Sequence, residues 1–180
     1  MDSLELLTHP VRLRVVHALR GGRILTTGQL SALIPDVSKA TVYRHVDLLT
    51  SGGILDVADE QRVRGAVERR YRLRQEHAGI DADTARALTP RQHEWAFAAA
   101  MAALVAEFGG YLEREGSDPV DDLVGYRQHA VWLSREELVA LIGALQTAIA
   151  PLLANRPTRE RSRYLLSPIL FPAEQQDPPR

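Results

Sequence analysis

The 180-residue sequence predicts an α+β fold, mainly α, in two parts of opposite charge. Three short runs of helical apolar spacing end near residue 50, and two alternating segments follow at 54–74. A long apolar helix pattern then opens at Thr89-Pro90 and leads into a small strand-helix-strand layer. Residues 1–74 carry twelve Lys+Arg against eight Asp+Glu, and residues 75–180 carry ten against fifteen. The overall net charge of −1, which alone argues against a nucleic-acid partner, is therefore the sum of +4 and −5.

Composition excludes several classes. At 45% hydrophobic and 25% charged residues, the chain has enough apolar matter for a core and is neither disordered nor fibrous. It has no cysteine, which removes disulfides, thiolate metal sites and thiol nucleophiles. The longest uninterrupted apolar run, Trp95 to Ala106, is twelve residues, short of the ~20 that span a bilayer, so no membrane partner is expected. The acidic start Met1-Asp2-Ser3-Leu4-Glu5 lacks the positive charge of a secretory leader, and the expected location is cytoplasmic.

In the basic half, Pro10 suits a first helical turn, with Val11, Leu13, Val15, Val16, Ala18 and Leu19 behind it and Gly21-Gly22 as the stop. Thr26 or Thr27 caps a short second helix bearing Leu30, Leu33 and Ile34, broken by Pro35-Asp36-Val37. Ser38 caps a third helix, in which Val42, Val46 and Leu49, flanked by Thr41, His45 and Leu48, form the inward stripe. At 100° per residue, Lys39, Ala40, Tyr43, Arg44 and Asp47 then face away from the core. His45 falls inward and is expected to be packed and hydrogen-bonded. After Gly52-Gly53 comes a short strand at Ile54–Ala58, a turn-like Asp59–Ala66, and a second strand at Val67–Arg74. Helix, helix, turn, helix and hairpin in that order make a winged helix-turn-helix, whose recognition helix enters the major groove of DNA. Candidate DNA contacts are Thr27, Ser38, Lys39, Ala40, Thr41, Tyr43 and Arg44, with Arg62 and Arg64 at the hairpin tip. Solubility alone is the other reading of those two tip arginines.

The segments His9-Pro10-Val11-Arg12-Leu13-Arg14-Val15-Val16, Ser38-Lys39-Ala40-Thr41-Val42-Tyr43-Arg44-His45-Val46-Asp47-Leu48-Leu49 and Gly52-Gly53-Ile54-Leu55 resemble bacterial winged-helix regulators of the arsenical-resistance-repressor (ArsR) type. The resemblance covers about residues 4–74. It implies a homodimer whose third helix reads an operator half-site while its wing contacts the DNA backbone. Metal-sensing members carry a cysteine motif in the third helix; this chain has none, so the resemblance is to a non-metal member.

Residues 75–88 read as a polar linker, and 89–171 as a dimerisation and sensing domain followed by a loose tail at 172–180. Along the helix opened by Thr89-Pro90 and expected to reach Glu115, Phe97, Met101, Leu104, Phe108 and Tyr111 recur at alternating four- and three-residue spacing, with Trp95, Ala98, Ala102, Val105 and Leu112 beside them. Two apolar faces need two partners, and a second copy is the expected one. Trp95, Phe97, Met101, Leu104, Phe108 and Tyr111 are its candidate contacts, with Ala98, Ala99 and Ala102 allowing close approach. Leu123–Leu133 alternates like a strand and Arg161–Phe171, with Pro168 suggesting an edge or a bend, is a second strand candidate, on either side of a helix capped by Ser134-Arg135-Glu136-Glu137. Tyr126, His129, Trp132 and Tyr164 are candidates to line an effector pocket.

Phosphate-binding glycine loops, nucleophile elbows and His-Glu-x-x-His motifs do not occur. No two of the six histidines stand at helical metal-site spacing, although His9 and His17 could approach in space. The expectation is a DNA-binding regulator, not an enzyme, without catalytic residues, metal or cofactor. Its partners would be double-stranded DNA, itself and a small-molecule effector, and its action repression. A winged-helix protein–protein interaction module is the alternative.

Overall fold

The computed structural model describes residues 3–63, 66–74 and 82–173, which form two compact units, Met1–Asp122 and Leu123–Arg180. The first is built from α1 (Ser3–Leu7), α2 (Pro10–Leu19), β1 (Leu25–Thr26), α3 (Thr27–Leu33), α4 (Lys39–Ser51), β2 (Leu55–Val63), β3 (Ala66–Leu73), α5 (Ala82–Ala87) and α6 (Pro90–Leu112). The second holds α7 (Arg135–Leu153). The first unit thus extends past the predicted 75–88 linker and takes in the long helix.

Capping chemistry sets the helix starts. His9 Nδ1 accepts the Val11 N–H at 3.2 Å ahead of Pro10, which has no N–H to satisfy. Thr26, the first of the two threonines proposed from sequence, caps α3 in a reciprocal box with Gln29. Ser38 caps α4 by accepting from the Thr41 N–H. Thr89 with Gln92 and Ser134 with Glu137 form the same box at α6 and α7. Helix α1 was not anticipated. Its C-terminal carbonyls of Glu5 and Leu6 are satisfied by the buried Arg12 guanidinium, which donates from Nε to Leu6 O at 2.5 Å and from Nη2 to Glu5 O.

The core of the unit joins Leu6 and Leu7 of α1, Val15, Val16 and Leu19 of α2, Leu30 of α3 and Val42, Val46 and Leu49 of α4, with Ile54, Leu55, Tyr71 and Leu73 from the hairpin. The sheet has order β1-β3-β2 and is antiparallel throughout. The hairpin is longer than its sequence suggested: Asp59–Val63, read as turn-like, continues β2, and β1 adds a third strand through Leu25 opposite Tyr71. Polarity hid the first of these, because a hairpin projecting into solvent pairs backbone without burying side chains. Arg14, another buried cation, forms a bidentate pair with Asp36 (2.7 and 2.6 Å), tying α2 to the turn before α4.

Helix α6 ends at Leu112, capped by Glu113, slightly short of the expected Glu115. Ala99 and Ala103 bury one of its sides, and α6 packs on α2, where His17 Nδ1 donates to Glu107 Oε1 at 2.6 Å. The small-residue contact expected between two copies is thus partly used within the chain. Trp95, Phe97 and Phe108 remain exposed, Trp95 by 56%, while Met101, Leu104 and Tyr111 are half-buried. By length and composition α6 and α7 are also each apolar enough to cross a membrane. Counting uninterrupted runs missed this, because Glu107 breaks the run without making the helix polar.

In the second unit the strand-helix-strand layer does not form. Residues 124–134 and 159–173 carry no strand, and α7 buries no residue. Alternation requires a neighbouring strand to become a ladder, and the described residues of this unit supply none.

Gly52, the C-cap of α4, lies against Leu6. A Cβ there would overlap Leu6 Cδ1 and press on Leu6 Cγ and the Leu48 carbonyl, both at 3.3 Å. Leu6 is fully buried and has nowhere to retreat. Gly52→Ala is expected to cost about 1–3 kcal/mol by overpacking. The urea midpoint checks it: the midpoint should fall with the slope of the transition unchanged.

Candidate nucleic-acid interface

Helix α4 presents two sides with separate tasks. Val42, His45, Val46 and Leu49 are buried, while Ser38, Lys39, Ala40, Tyr43, Arg44 and Asp47 are exposed. Lys39, Ala40, Tyr43, Arg44 and Asp47 form one contiguous open surface, so the residues that sequence placed on the outer face do stand together. Lys39 Nζ sits 5.8 Å from the centre of the Tyr43 ring, a cation over a π face that keeps both side chains on the first turns of the helix. Ser38 is occupied by capping: its hydroxyl also bonds the Thr41 hydroxyl at 2.8 Å. Thr41 is half-buried. Thr27, predicted to face DNA, lies in the first turn of α3 and is only 7% exposed, so its side chain belongs to the interior.

The exposed set carries groups able to meet a duplex. Arg44 is a planar fork of donors that matches the paired acceptors of guanine or a phosphate, Lys39 is a point charge at the helix start, and Tyr43 offers a ring and a hydroxyl. Asp47 is the one acid on this face.

Behind the face lies a histidine pair that sequence reading identified only in half. His45 is packed as expected, at 2% exposure, but its Nδ1 has no hydrogen-bond partner among the described residues. It packs against the His9 ring instead, with centroids 4.4 Å apart and the ring planes tilted by 44°. Burial, reinforced by His9, Arg12 and Arg44 nearby, pushes the His45 pKa down to about 4. His9 is lowered too, first by burial and then by Arg12 and Arg44. The cap of α2 is therefore in ring contact with α4. The available signal was His9 before Pro10, an N-cap whose side chain must lie close to the helix start.

Arg62 is exposed on β2 opposite Val67, near the end of the hairpin; Arg64 lies outside the described residues. Tyr126, Trp132 and Tyr164 are exposed by 66–77%, and His129 is also exposed, so these four do not wall an enclosed pocket. Among the described residues no group of three or more His, Asp or Glu is placed to hold a metal ion. His17, which might have approached His9, is engaged with Glu107.

Residues 7–58 match the family model of a helix-turn-helix domain. The match begins in α1, contains α2, α3 and α4 complete, and ends in β2, so it coincides with the elements that build and present the exposed face. The chain therefore carries a helix-turn-helix domain, a class of fold built for DNA-binding regulation. No curated protein matches the chain.

The buried histidine makes stability depend on pH. Unfolded His45 takes up a proton near pH 6.5, whereas folded His45 resists protonation until about pH 4. Its contribution is therefore complete above pH 6.5 and is lost as pH falls toward 4, by about 3 kcal/mol in all. Urea midpoints measured across this window should fall with acidification in the parent and more shallowly in His45→Gln. Parallel pH curves for the two would contradict the assignment.

Proposed function

We propose that the protein is a sequence-specific, DNA-binding transcription regulator of the ArsR type, acting as a homodimeric repressor that a small-molecule effector releases. The carrying observation is the exposed Lys39-Ala40-Tyr43-Arg44 face of α4 within the matched helix-turn-helix domain. Lys39 contacts phosphate at the helix start that Ser38 caps, Ala40, Thr41, Tyr43 and Arg44 meet base edges, and Arg62 with Arg64 brings the hairpin tip to the backbone. Blocking a promoter by occupying it requires only this binding and a location in the cytoplasm with the chromosome.

The homodimer is supported by the apolar surface left on α6, where Trp95, Phe97 and Phe108 are exposed and Met101, Leu104 and Tyr111 half-buried, and by the two-fold symmetry of operators read by paired recognition helices. Phe97→Glu should shift the protein toward monomer in sedimentation equilibrium. A parent that is monomeric at every concentration tested would remove the dimer. Effector release is assigned to the second unit, whose Tyr126, His129, Trp132 and Tyr164 offer rings and hydrogen-bonding groups to a ligand. Ligands that act there should raise the thermal midpoint and weaken operator binding together.

Selection of bound duplexes from a random-sequence pool tests the central reading. The parent should enrich one short inverted repeat. Arg44→Ala and Tyr43→Ala should each reduce preference for it about tenfold or more, as loss of a base contact worth ~1–3 kcal/mol requires. Enrichment of no sequence, with a partner protein bound instead, would favour a protein-interaction module.

A further inference from the structure

Residues 69–74 hold four arginines, and the structure ties each of them to an acid of the same hairpin. Arg69 Nε donates to Glu60 Oε1 at 2.8 Å and Arg70 Nη1 to Asp59 Oδ2 at 3.1 Å. Arg74 Nε donates to Asp56 Oδ1 at 2.6 Å, and Arg72 Nη2 stands 3.8 Å from Asp56 Oδ2. This pairing depends on a β-bulge. Asp56 and Asp59 are three residues apart, and in a regular strand they would point to opposite faces. The register breaks between Val57, opposite Tyr71, and Asp59, opposite Arg70, so Ala58 is passed over. Asp56 therefore comes opposite Arg72 and Asp59 opposite Arg70, on the one face that those arginines share; Glu60 meets Arg69 on the other. Towards the turn lies Arg62, which no described carboxylate holds.

Exposed ion pairs of this kind contribute little to stability, so the fold gives weak reason for three acids placed in this way. Their effect on a polyanion is larger. A phosphate competing for Arg70 must break the Asp59 pair and then sit beside the carboxylate. We propose that Asp56, Asp59 and Glu60 are specificity determinants: they hold Arg69, Arg70, Arg72 and Arg74 back from DNA phosphates and confine the hairpin's attraction to its tip. Sequence-independent binding is thereby kept small while base reading by α4 is untouched. This rests on the DNA-binding reading above.

The test compares the full-length parent with D56N/D59N, using poly(dI-dC) as the non-specific probe, the selected inverted repeat as the specific one, and fluorescence anisotropy over a range of salt. The double variant should bind poly(dI-dC) about tenfold more tightly at low salt, with log K falling more steeply against log salt by about 1–2, since each recruited phosphate adds ~0.9 to the slope. Its preference for the inverted repeat should shrink correspondingly. E60Q, on the opposite face, should give a smaller change in the same direction. Unchanged affinity and slope in both variants would overturn the role of the acids, as would an equal gain from E113Q/E115Q, which removes the same charge elsewhere. A parent that binds neither probe would overturn the DNA-binding reading as well, so the two failures are distinguishable.

Discussion

Val42, His45, Val46 and Leu49 lie along one side of α4, and all four are buried. Burying three aliphatic side chains is worth several kcal/mol, of the order of the whole stability of a domain this size, so rotation of α4 about its axis is not available to the fold. That constraint settles which residues meet the solvent. Lys39, Tyr43 and Arg44 are exposed because their neighbours at helical spacing cannot be. The pieces around α4 serve to hold this orientation. Leu6 closes over its C-terminus at Gly52, Ser38 fixes its start, and the Arg14–Asp36 pair anchors the turn that leads into it.

The same constraint explains the placement of charge. Four cations or near-cations, His9, Arg12, Arg44 and His45, fall within one neighbourhood, and the fold keeps the two histidines neutral by burial. A protonated His45 would stand in the core beside Arg12 with no acceptor for its Nδ1 among the described residues. Acid therefore acts on α4 from behind, through the packing of its buried side. The outer face keeps a simple arrangement of one guanidinium, one ammonium, one phenol and one carboxylate, and on the hairpin four arginines are paired with carboxylates.

Much of the first unit was legible because its signals are local. Ser38, the 42–46–49 spacing and Gly52-Gly53 bracket α4 without any tertiary knowledge, and Pro10 does the same for α2. What escaped is long-range or depends on a partner. Arg12 and Arg14 look like surface residues until α1 and Asp36 are placed beside them. The bulge at Ala58 has no composition signal, since it is a property of pairing. Thr27 and Thr26 are interchangeable as caps in sequence, and only the Gln29 box shows that Thr26 is the cap and Thr27 lies inside.

The second unit shows why alternation alone does not make a strand. Residues 123–133 have the alternation of half-buried β structure and 161–171 are apolar enough for a strand, but a strand exists only as one side of a hydrogen-bonded pair. Within one chain they stay without a ladder, and α7 keeps Leu141, Ile142 and Leu145 partly in water. Apolar area of this extent is costly to leave solvated. A second copy would bring identical segments and an identical α7 at no cost in new sequence, and two-fold symmetry would offer each segment a counterpart. In the proposed homodimer, the pairing of two α4 helices and the covering of the second unit's apolar residues would be met by one event, association of the chain with itself.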